Sequence, residues 1–488
     1  MRYSVVSLIL AAVSIVSALP THAKKNLIMM VSDGFGPASE VAARAYIQQS
    51  QKYPEDYMTN LDKLLIGSSR TRSADSFVTD SAAGAVAFAS GIKTYNNALG
   101  VDRNGVPVGT NMEAAHRLGY KTGVVVKSYI TDATPAAFAS HVLERAMNSL
   151  IAEQMAGLVP EVERNLDLMF GGGKCTFMSN NTKGSCRADS RDIIAEMKVA
   201  GWTTTETRDE FNNIPANVKL PVSGMYAVKN VPYAIDYPIN DVPTLPEMAK
   251  KALEILSEAT KDSEYGFYVM IEGSRIDHSG HDNDLGTQIR EIIEYYEAIK
   301  VVSEFIDANP NTVMISTSDH ETGGLTLGRD NKYIYRPLVY SNQTMSIDIS
   351  CAGLLERPLK DRGAYVTEKM LPIHLGMSNV TEAIASKVLA SKTRADCLLA
   401  MSDALNRDSN INWSSLGHSG VDVNLYAKGV TTEQLAGNHE NTDIGKWLSK
   451  YLDVDVNAVT KELAKINVKQ YPYTRVPSTY VFDYISHD

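Results

Sequence analysis

The sequence is poor in cysteine and in basic residues, and each shortage excludes a class of protein. It has four cysteines in 488 residues, and none has the spacing of a zinc-binding cysteine motif. Its 47 Lys and Arg are outnumbered by 57 Asp and Glu, so the formal net charge is −10. An acidic surface argues against nucleic-acid binding, because that binding depends on cations that neutralise phosphates. A small anionic substrate that enters a local cationic site remains compatible with this composition.

Long apolar runs are also missing, since even the apolar stretch near the N-terminus is short. Arg2 precedes an apolar stretch at residues 5–16, and small residues ending at Ala23 follow it. This arrangement predicts a secretory signal peptide at residues 1–23, whereas a membrane span needs about 20 apolar residues. We therefore expect a protein that is secreted, periplasmic or otherwise exported, with no membrane span after cleavage and with residues 24–488 as the mature chain. An uncleaved anchor is the less favoured alternative.

The four cysteines are Cys175, Cys186, Cys351 and Cys397. In an exported protein an even number of cysteines favours disulfides. Three pairings are possible, of which 175–186 with 351–397 is the most local, and four free thiols are the alternative.

Short apolar runs predict buried strands at residues 27–31, 122–126, 267–271 and 312–316. Helices are predicted to begin near Pro37 and at Pro135, and the apolar spacing of residues 285–306 predicts a third. Repeated strand–loop–helix units indicate an α/β fold, in which helices flank a mostly parallel central sheet on both faces. Residues 329–417 break this pattern, and we interpret them as an insertion or lobe beside the sheet.

Acidic and histidine residues follow the predicted strands. The acids are Asp33, Asp132, Glu272, Asp277 and Asp319. His281 lies one helical turn after Asp277, and His320 directly follows Asp319. Ligand sites in such sheets lie beyond the carboxyl ends of the strands, and these side chains are ligands for zinc and magnesium. Each pair alone is ordinary on a protein surface, but together they predict a metal-dependent site at one sheet edge.

Ser81 lies in the segment Thr-Asp-Ser-Ala-Ala-Gly at residues 79–84, before an alanine-rich stretch. It is predicted either to cap a helix or to be a nucleophile at a helix N-terminus. A serine nucleophile needs a base or a metal, and no histidine lies near it in the sequence. Arg145 follows Pro135 by ten residues, on the helix predicted to begin there. It is either a solvated helix arginine or a bidentate phosphate ligand.

Six segments together resemble the alkaline phosphatase family, in the order that the family has them, between Asn26 and about Asp443. They are Asp33 with Gly34, residues 79–83, residues 132–137 with Arg145, residues 272–278 with His281, residues 319–324, and residues 418–420. The resemblance implies hydrolysis of phosphate monoesters through a phosphoserine intermediate, favoured at alkaline pH. It also implies small phosphate-monoester substrates, a homodimer, and a crown-like lobe over the active site.

The resemblance assigns a role to each site residue. Ser81 would be the nucleophile, Arg145 would bind two phosphate oxygens, and Asp80 would steady Arg145. One zinc would be held by Asp277, His281 and His418, and a second by Asp33, Asp319 and His320. A third ion, magnesium, would be held by Asp33, Thr134 and Glu272.

Asp132 and His278 would act through water around the third ion. Asp132 resembles the bacterial members and His278 the animal members. A direct His278 nitrogen ligand would favour zinc or cobalt over magnesium at this position. The oxygen ligands favour magnesium.

Rival functions are disfavoured by particular residues. A phosphodiester has one fewer free oxygen for Arg145, which argues against a phosphodiesterase. The segment around Ser81 lacks the Cys/Ser-x-Pro-x-Arg motif of sulfatases. A catalytically silent phosphate- or metal-binding protein would not need both Ser81 and a full set of ligands.

Overall fold

The computed structural model describes residues 24–468, so the predicted signal peptide at residues 1–23 lies outside the described residues. Within residues 24–468, no helix is both long and apolar enough to span a bilayer. Fourteen strands occur in this part of the chain: β1 (Asn26–Val31), β2 (Leu65–Arg70), β3 (Lys121–Tyr129), β4 (Leu168–Gly172), β5 (Thr203–Thr205), β6 (Val222–Met225), β7 (Phe267–Glu272), β8 (Thr312–Thr317), β9 (Glu321–Thr322), β10 (Leu325–Leu327), β11 (Ile411–Trp413), β12 (His418–Ser419), β13 (Val423–Lys428) and β14 (Gly437–Glu440).

The same described part of the chain contains sixteen α-helices. They are α1 (Pro37–Ser50), α2 (Ser81–Ser90), α3 (Asn111–Leu118), α4 (Ala133–Ala137), α5 (Asn148–Met155), α6 (Ile193–Val199), α7 (Arg208–Asn212), α8 (Leu245–Ala259), α9 (Arg275–His281), α10 (Leu285–Ala308), α11 (Ile347–Leu355), α12 (Leu359–Tyr365), α13 (Glu382–Leu389), α14 (Arg394–Ser409), α15 (Asn441–Leu452) and α16 (Val456–Leu463). A π-helical segment, Val366–His374, continues α12.

Ten strands form one central sheet in the order β14-β2-β13-β8-β1-β7-β3-β4-β6-β5. Every pair is parallel except the two that β13 makes with β2 and β8. The predicted mostly parallel sheet is therefore confirmed, and all four predicted strands belong to it. Strands β8, β1, β7 and β3 are consecutive neighbours, so their carboxyl ends lie side by side.

Helices cover both faces of the sheet because successive residues of each central strand are apolar. In β1, Leu27 and Met29 pack into a core that includes residues of α2, α4 and α15. Ile28 and Met30 point the other way, into a core that includes residues of α1, α8 and α10. A strand with two buried faces reads as a continuous apolar run, which is how β1 could be predicted.

Two local predictions were wrong. The helix near Pro135 begins at Ala133, with Asp132 as its N-cap, and ends at Ala137, so Arg145 lies beyond it in an irregular segment. Asp80, not Ser81, caps α2, because the Asp80 side chain accepts a hydrogen bond from the backbone N–H of Ala83. Aspartate and serine are both favoured at the N-cap, and here the adjacent aspartate occupies that position.

Residues 329–417 contain α11 to α14, and α11 packs against α14. A disulfide between Cys351 and Cys397 joins these two helices, and a second disulfide joins Cys175 to Cys186. The most local of the three possible pairings is thus confirmed.

Candidate active site

The predicted acids converge at the carboxyl edge of the sheet. Glu272 is the last residue of β7, Asp33 follows β1, and Asp319 follows β8. Two glycines permit the close packing there. A Cβ at Gly34, whose φ is +72°, would lie 2.6 Å from the Cα of Asp277, and a Cβ at Gly84 would lie 3.0 Å from the Cβ of Asp319. Glycine therefore lets the loop after β1 pack closely against Asp277, and lets α2 pack closely against Asp319.

Ser81 is the first residue of α2 and is 3% exposed. Its Oγ lies 3.0 Å from Nε2 of His320. The helix N-terminus directs partial positive charge toward this hydroxyl, which suits an anionic ligand or intermediate. The sequence placed no histidine near Ser81, and the fold supplies one from 239 residues away.

Arg145 faces the same space although it is not helical. Its Nη2 donates to Oδ1 of Asp132 at 2.9 Å, and its Nη1 donates to Oδ2 of Asp80 at 3.4 Å. The backbone also holds the segment, because the Arg145 N–H donates to the carbonyl of Asn97 and the Asn97 N–H donates to Asp80. Two carboxylates thus orient one guanidinium, and the contact with Asp132 was not expected from the sequence.

Asp33, Asp319 and His320 form one candidate metal cluster, with one ligand atom from each lying within 4.8 Å of the others. Oδ1 of Asp33 and Oδ2 of Asp319 are buried and have no hydrogen-bond partner among the described residues. Burial, reinforced by Asp319, raises the pKa of Asp33 well above its usual value. Burial, reinforced by Asp277, raises the pKa of Asp319 to about 7. A bound cation would relieve this repulsion, so these donors fit a metal ion.

Asp277, His281 and His418 form a second cluster beside the first. Nε2 of His281 lies 3.3 Å from Asp277 and 3.2 Å from Nε2 of His418. The Nδ1 atoms face away, toward the carbonyl of Leu416 for His281 and that of Thr79 for His418. Such contacts fix the ring orientation and leave Nε2 to bind a metal. Asp277 and His418 also lie with His320 in a group whose ligand atoms are within 4.8 Å.

Glu272 marks the third predicted position. Burial, reinforced by Asp132, raises its pKa to about 8. Thr134, buried in α4, lies close enough for its hydroxyl to oppose this rise, as does Ser274. A carboxylate surrounded by hydroxyls and another carboxylate is an oxygen-rich environment, which suits magnesium.

His278 lies on α9 directly after Asp277. Its Nδ1 accepts a hydrogen bond from Nε of Arg275 at 3.0 Å. Burial, reinforced by Arg275, holds the pKa of His278 well below its usual value, so the ring is neutral. The prediction that His278 acts at the third ion stays a prediction.

Three supporting residues were missed by the sequence reasoning. Ser274 donates to Glu272, Arg275 donates to His278, and Thr322 donates to Asp277. Ser274 and Arg275 lie inside residues 272–278, and Thr322 lies inside residues 319–324. Their places within these segments were the available signal, although nothing in the sequence showed which ligand each would support.

Comparisons with known proteins all indicate one family. Residues 24–454 match the family model described as alkaline phosphatase. Alkaline phosphatase from Schizosaccharomyces pombe is 40% identical over 90% of this chain and 83% of its own length. Alkaline phosphatase 3 from Bacillus subtilis is 34% identical over 88% of this chain and 90% of its own length.

Solved structures agree. The cold-active alkaline phosphatase of a Shewanella species is 30% identical, with a TM-score of 0.76, and the match covers 88% of this chain and 99% of that one. The Thermus thermophilus alkaline phosphatase is 26% identical, with a TM-score of 0.77, and the match covers 91% and 96%. The chain therefore belongs to the alkaline phosphatase family, whose members hydrolyse phosphate monoesters.

Proposed function

We propose that the chain hydrolyses small phosphate monoesters through a phosphoserine intermediate on Ser81. The observation that carries this proposal is the place of Ser81, at the N-terminus of α2 and 3.0 Å from Nε2 of His320. His320 belongs to the cluster whose buried carboxylates call for a cation. A hydroxyl beside such a cluster is a nucleophile that a metal can activate.

The two clusters are proposed as zinc sites. Asp33, Asp319 and His320 would hold one ion, and Asp277, His281 and His418 the other. When bound, the ions supply positive charge that lowers the pKa of a coordinated hydroxyl and stabilises the entering and leaving oxygens. Their ionised ligands favour activity at alkaline pH. Asp33, Thr134 and Glu272 would hold a third ion, for which we propose magnesium rather than zinc or cobalt, with Asp132 and His278 acting through water.

The side chains of Ser81 and Arg145 would act in both chemical steps. In the first step, Oγ of Ser81 loses its proton and forms a bond to phosphorus, while the bond from phosphorus to the alcohol oxygen breaks and that oxygen leaves with a proton as the alcohol. In the second, the oxygen of a water molecule forms a bond to phosphorus, the bond from phosphorus to Oγ breaks, and Ser81 regains a proton as inorganic phosphate is released. Arg145 would bind two non-bridging oxygens in both steps, in the position that Asp80 and Asp132 set for it. Recognition therefore falls on the phosphate, and many alcohols are accepted.

Export and assembly are part of the proposal. We infer that residues 1–23 are removed on export, that residues 24–488 form one catalytic domain with residues 329–417 as its lobe, and that the mature chain is a homodimer. The two disulfides support export, because disulfides persist in oxidising compartments. N-terminal sequencing and the sedimentation mass of the secreted protein test both points. A secreted protein that still begins at residue 1 would contradict cleavage, and a monomeric mass would contradict the homodimer.

Trapping the intermediate tests the chemistry. Enzyme incubated with radiolabelled phosphate and quenched in acid should carry label on Ser81, and Ser81→Ala should remove both label and turnover. Ser90→Ala, at the other end of α2, is the matched control and should keep both. Label on a different residue would refute the assignment.

A further inference from the structure

A cavity of about 300 Å³ lies beside the candidate active site. Helix α9 contributes residues to both. It carries Asp277 and His281, whose side chains meet His418, and it also carries Arg275 and His278, which line the cavity. A substrate whose phosphate is held at Ser81 could therefore extend its alcohol portion toward this cavity.

Arg275 is the unusual group in the cavity wall. It is 8% exposed, and its guanidinium stacks 3.5 Å above the ring of Tyr233. Its hydrogen bonds go to neutral acceptors, from Nη1 to the carbonyl of Val231 and from Nε to Nδ1 of His278. Among residues 24–468, no carboxylate forms an ion pair with Arg275, and its hydrogen bonds come from Nε and Nη1 only. Asp348 and Asp282 act on its charge from farther off, without a direct ion pair, so an anion in the cavity would be its direct charged partner.

The carboxylates that line the cavity are engaged elsewhere. Asp348 lies 2.7 Å from Nη2 of Arg394, and Asp282 lies 3.8 Å from the same nitrogen. Asp282 also accepts a hydrogen bond from the hydroxyl of Tyr233. These two carboxylates share the cavity lining with three cations, Lys229, Arg275 and Arg394, so the lining keeps a net positive charge.

The far wall of the cavity is tied down covalently. Asp348 lies on α11 and Arg394 begins α14, and the disulfide between Cys351 and Cys397 joins these helices within one turn of both residues. The disulfide holds the two helices of this wall together. A rigid wall favours a binding site, because it holds the binding groups in place.

We propose that this cavity is a subsite for a second anionic group on the alcohol portion of the substrate, and that Arg275 binds that group. The inference rests on the proposed phosphomonoester chemistry and adds a substrate class to it. The preferred substrates are monoesters whose alcohol bears a further phosphate or carboxylate. Planar guanidinium is suited to both groups, which it binds through paired hydrogen bonds.

Three esters of one carbon skeleton test the proposal: 1,3-propanediol bisphosphate, propyl phosphate and 3-aminopropyl phosphate. At fixed ionic strength, kcat/KM of the unsubstituted enzyme should fall in that order, after correction for the two equivalent phosphates of the first ester. Arg275→Gln should lower kcat/KM for the bisphosphate by about tenfold more than that for propyl phosphate, and the loss on propyl phosphate measures the support that Arg275 gives to His278. Arg275→Lys should restore part of the preference because it keeps the charge.

Arg290→Gln is the matched control. Arg290 also lies over a tyrosine ring, that of Tyr46, and donates to the carbonyls of Gly286 and Tyr340, but it does not line the cavity. It should leave the order of the three esters unchanged.

The outcomes distinguish failure of the subsite from failure of the proposed function on which it rests. An equal loss on all three esters in Arg275→Gln would overturn the subsite and leave Arg275 as a support for His278. Equal rates on all three esters in the unsubstituted enzyme, or a preference for 3-aminopropyl phosphate, would also overturn it. Failure of the unsubstituted enzyme to hydrolyse propyl phosphate would instead refute the proposed function.

Discussion

Nε2 of His320 lies 3.0 Å from Oγ of Ser81, while Nδ1 of His320 lies 3.3 Å from the hydroxyl of Thr322. In a serine–histidine–aspartate triad the carboxylate would face Nδ1 and hold the ring as a base. Here the carboxylates of Asp33 and Asp319 lie on the Nε2 side, at 3.5 and 3.2 Å, together with the serine. This arrangement favours His320 as a metal ligand that shares its ion with Ser81.

Metal removal should therefore abolish activity. A chelator is expected to inactivate the enzyme, and added zinc should restore it. His418→Ala should lower the zinc content measured by elemental analysis by about one ion per chain, because one of three protein ligands is lost. His374→Ala, which changes a histidine at the end of the π-helical segment that hydrogen-bonds to Ser350, should keep full zinc content. Activity that survives complete zinc removal would show that His320 acts as a base.

Replacement of Arg145 should weaken phosphate binding more than it slows chemistry. Loss of a bidentate, charge-assisted contact costs roughly 1.5–3 kcal/mol, or about 10- to 100-fold in affinity. Arg145→Ala should raise the inhibition constant of inorganic phosphate and KM by this factor. Arg208→Ala, which removes a surface ion pair with Glu247, should change neither. An unchanged phosphate inhibition constant would exclude the proposed contact.

Ser274 should set the magnesium affinity through Glu272. Its Oγ accepts hydrogen bonds from the backbone N–H groups of Lys127 and Ser128, both at 3.1 Å, so its proton is directed to Glu272. Ser274→Ala should weaken magnesium binding, measured by calorimetry on zinc-loaded enzyme, by about 10- to 100-fold. The zinc content should stay constant.

The control for this variant is Ser279→Ala, because Ser279 is equally buried and donates to backbone carbonyls of α9. It should keep the parent magnesium affinity. Equal magnesium affinity in Ser274→Ala and the parent would mean that Ser274 does not position Glu272.

A buried ion pair outside the active site should make stability depend on pH. Nε2 of His141 lies 2.9 Å from Oε1 of Glu113, and Nδ1 lies 2.8 Å from the carbonyl of Gly100, so both nitrogens donate and the ring is charged. Although burial acts against both charges, the pair raises the pKa of His141 and lowers the pKa of Glu113. The His141 contribution is complete below about pH 6.5, the unfolded value, and is lost as pH rises through its folded pKa. The Glu113 contribution is lost only in acid, as pH falls through its lowered pKa.

His141→Gln should destabilise the fold by about 3–5 kcal/mol near neutral pH, because Glu113 is left buried without its partner. The midpoint of thermal unfolding, measured at fixed zinc and magnesium, should fall between pH 7 and 10 more steeply in the parent than in Glu113→Gln/His141→Gln. Parallel pH profiles for the parent and the double variant would contradict the charged pair.

Local sequence patterns predicted the central elements well, because each pattern lies within one element. Residues 27–31 and 312–316 were recognised as strands since a strand buried on both faces is apolar throughout. The apolar spacing of residues 285–306 likewise predicted α10. One error came where neighbouring residues compete for one role, as Asp80 and Ser81 do at the start of α2.

By itself, the sequence determined the candidates for the chemistry, since the motifs that resemble the family contain the serine, the arginine and every proposed ligand. Only the tertiary structure decided which of them meet. Ser81 contacts a histidine 239 residues away because β8 lies beside β1, and Arg145 is oriented by Asp80 and Asp132 without belonging to a helix. The position of Arg275, which forms no ion pair within residues 24–468, likewise arises only where α9 lies near α11 and α14. Such contacts depend on strand order and on packing between distant segments, and neither leaves a periodic trace in the sequence.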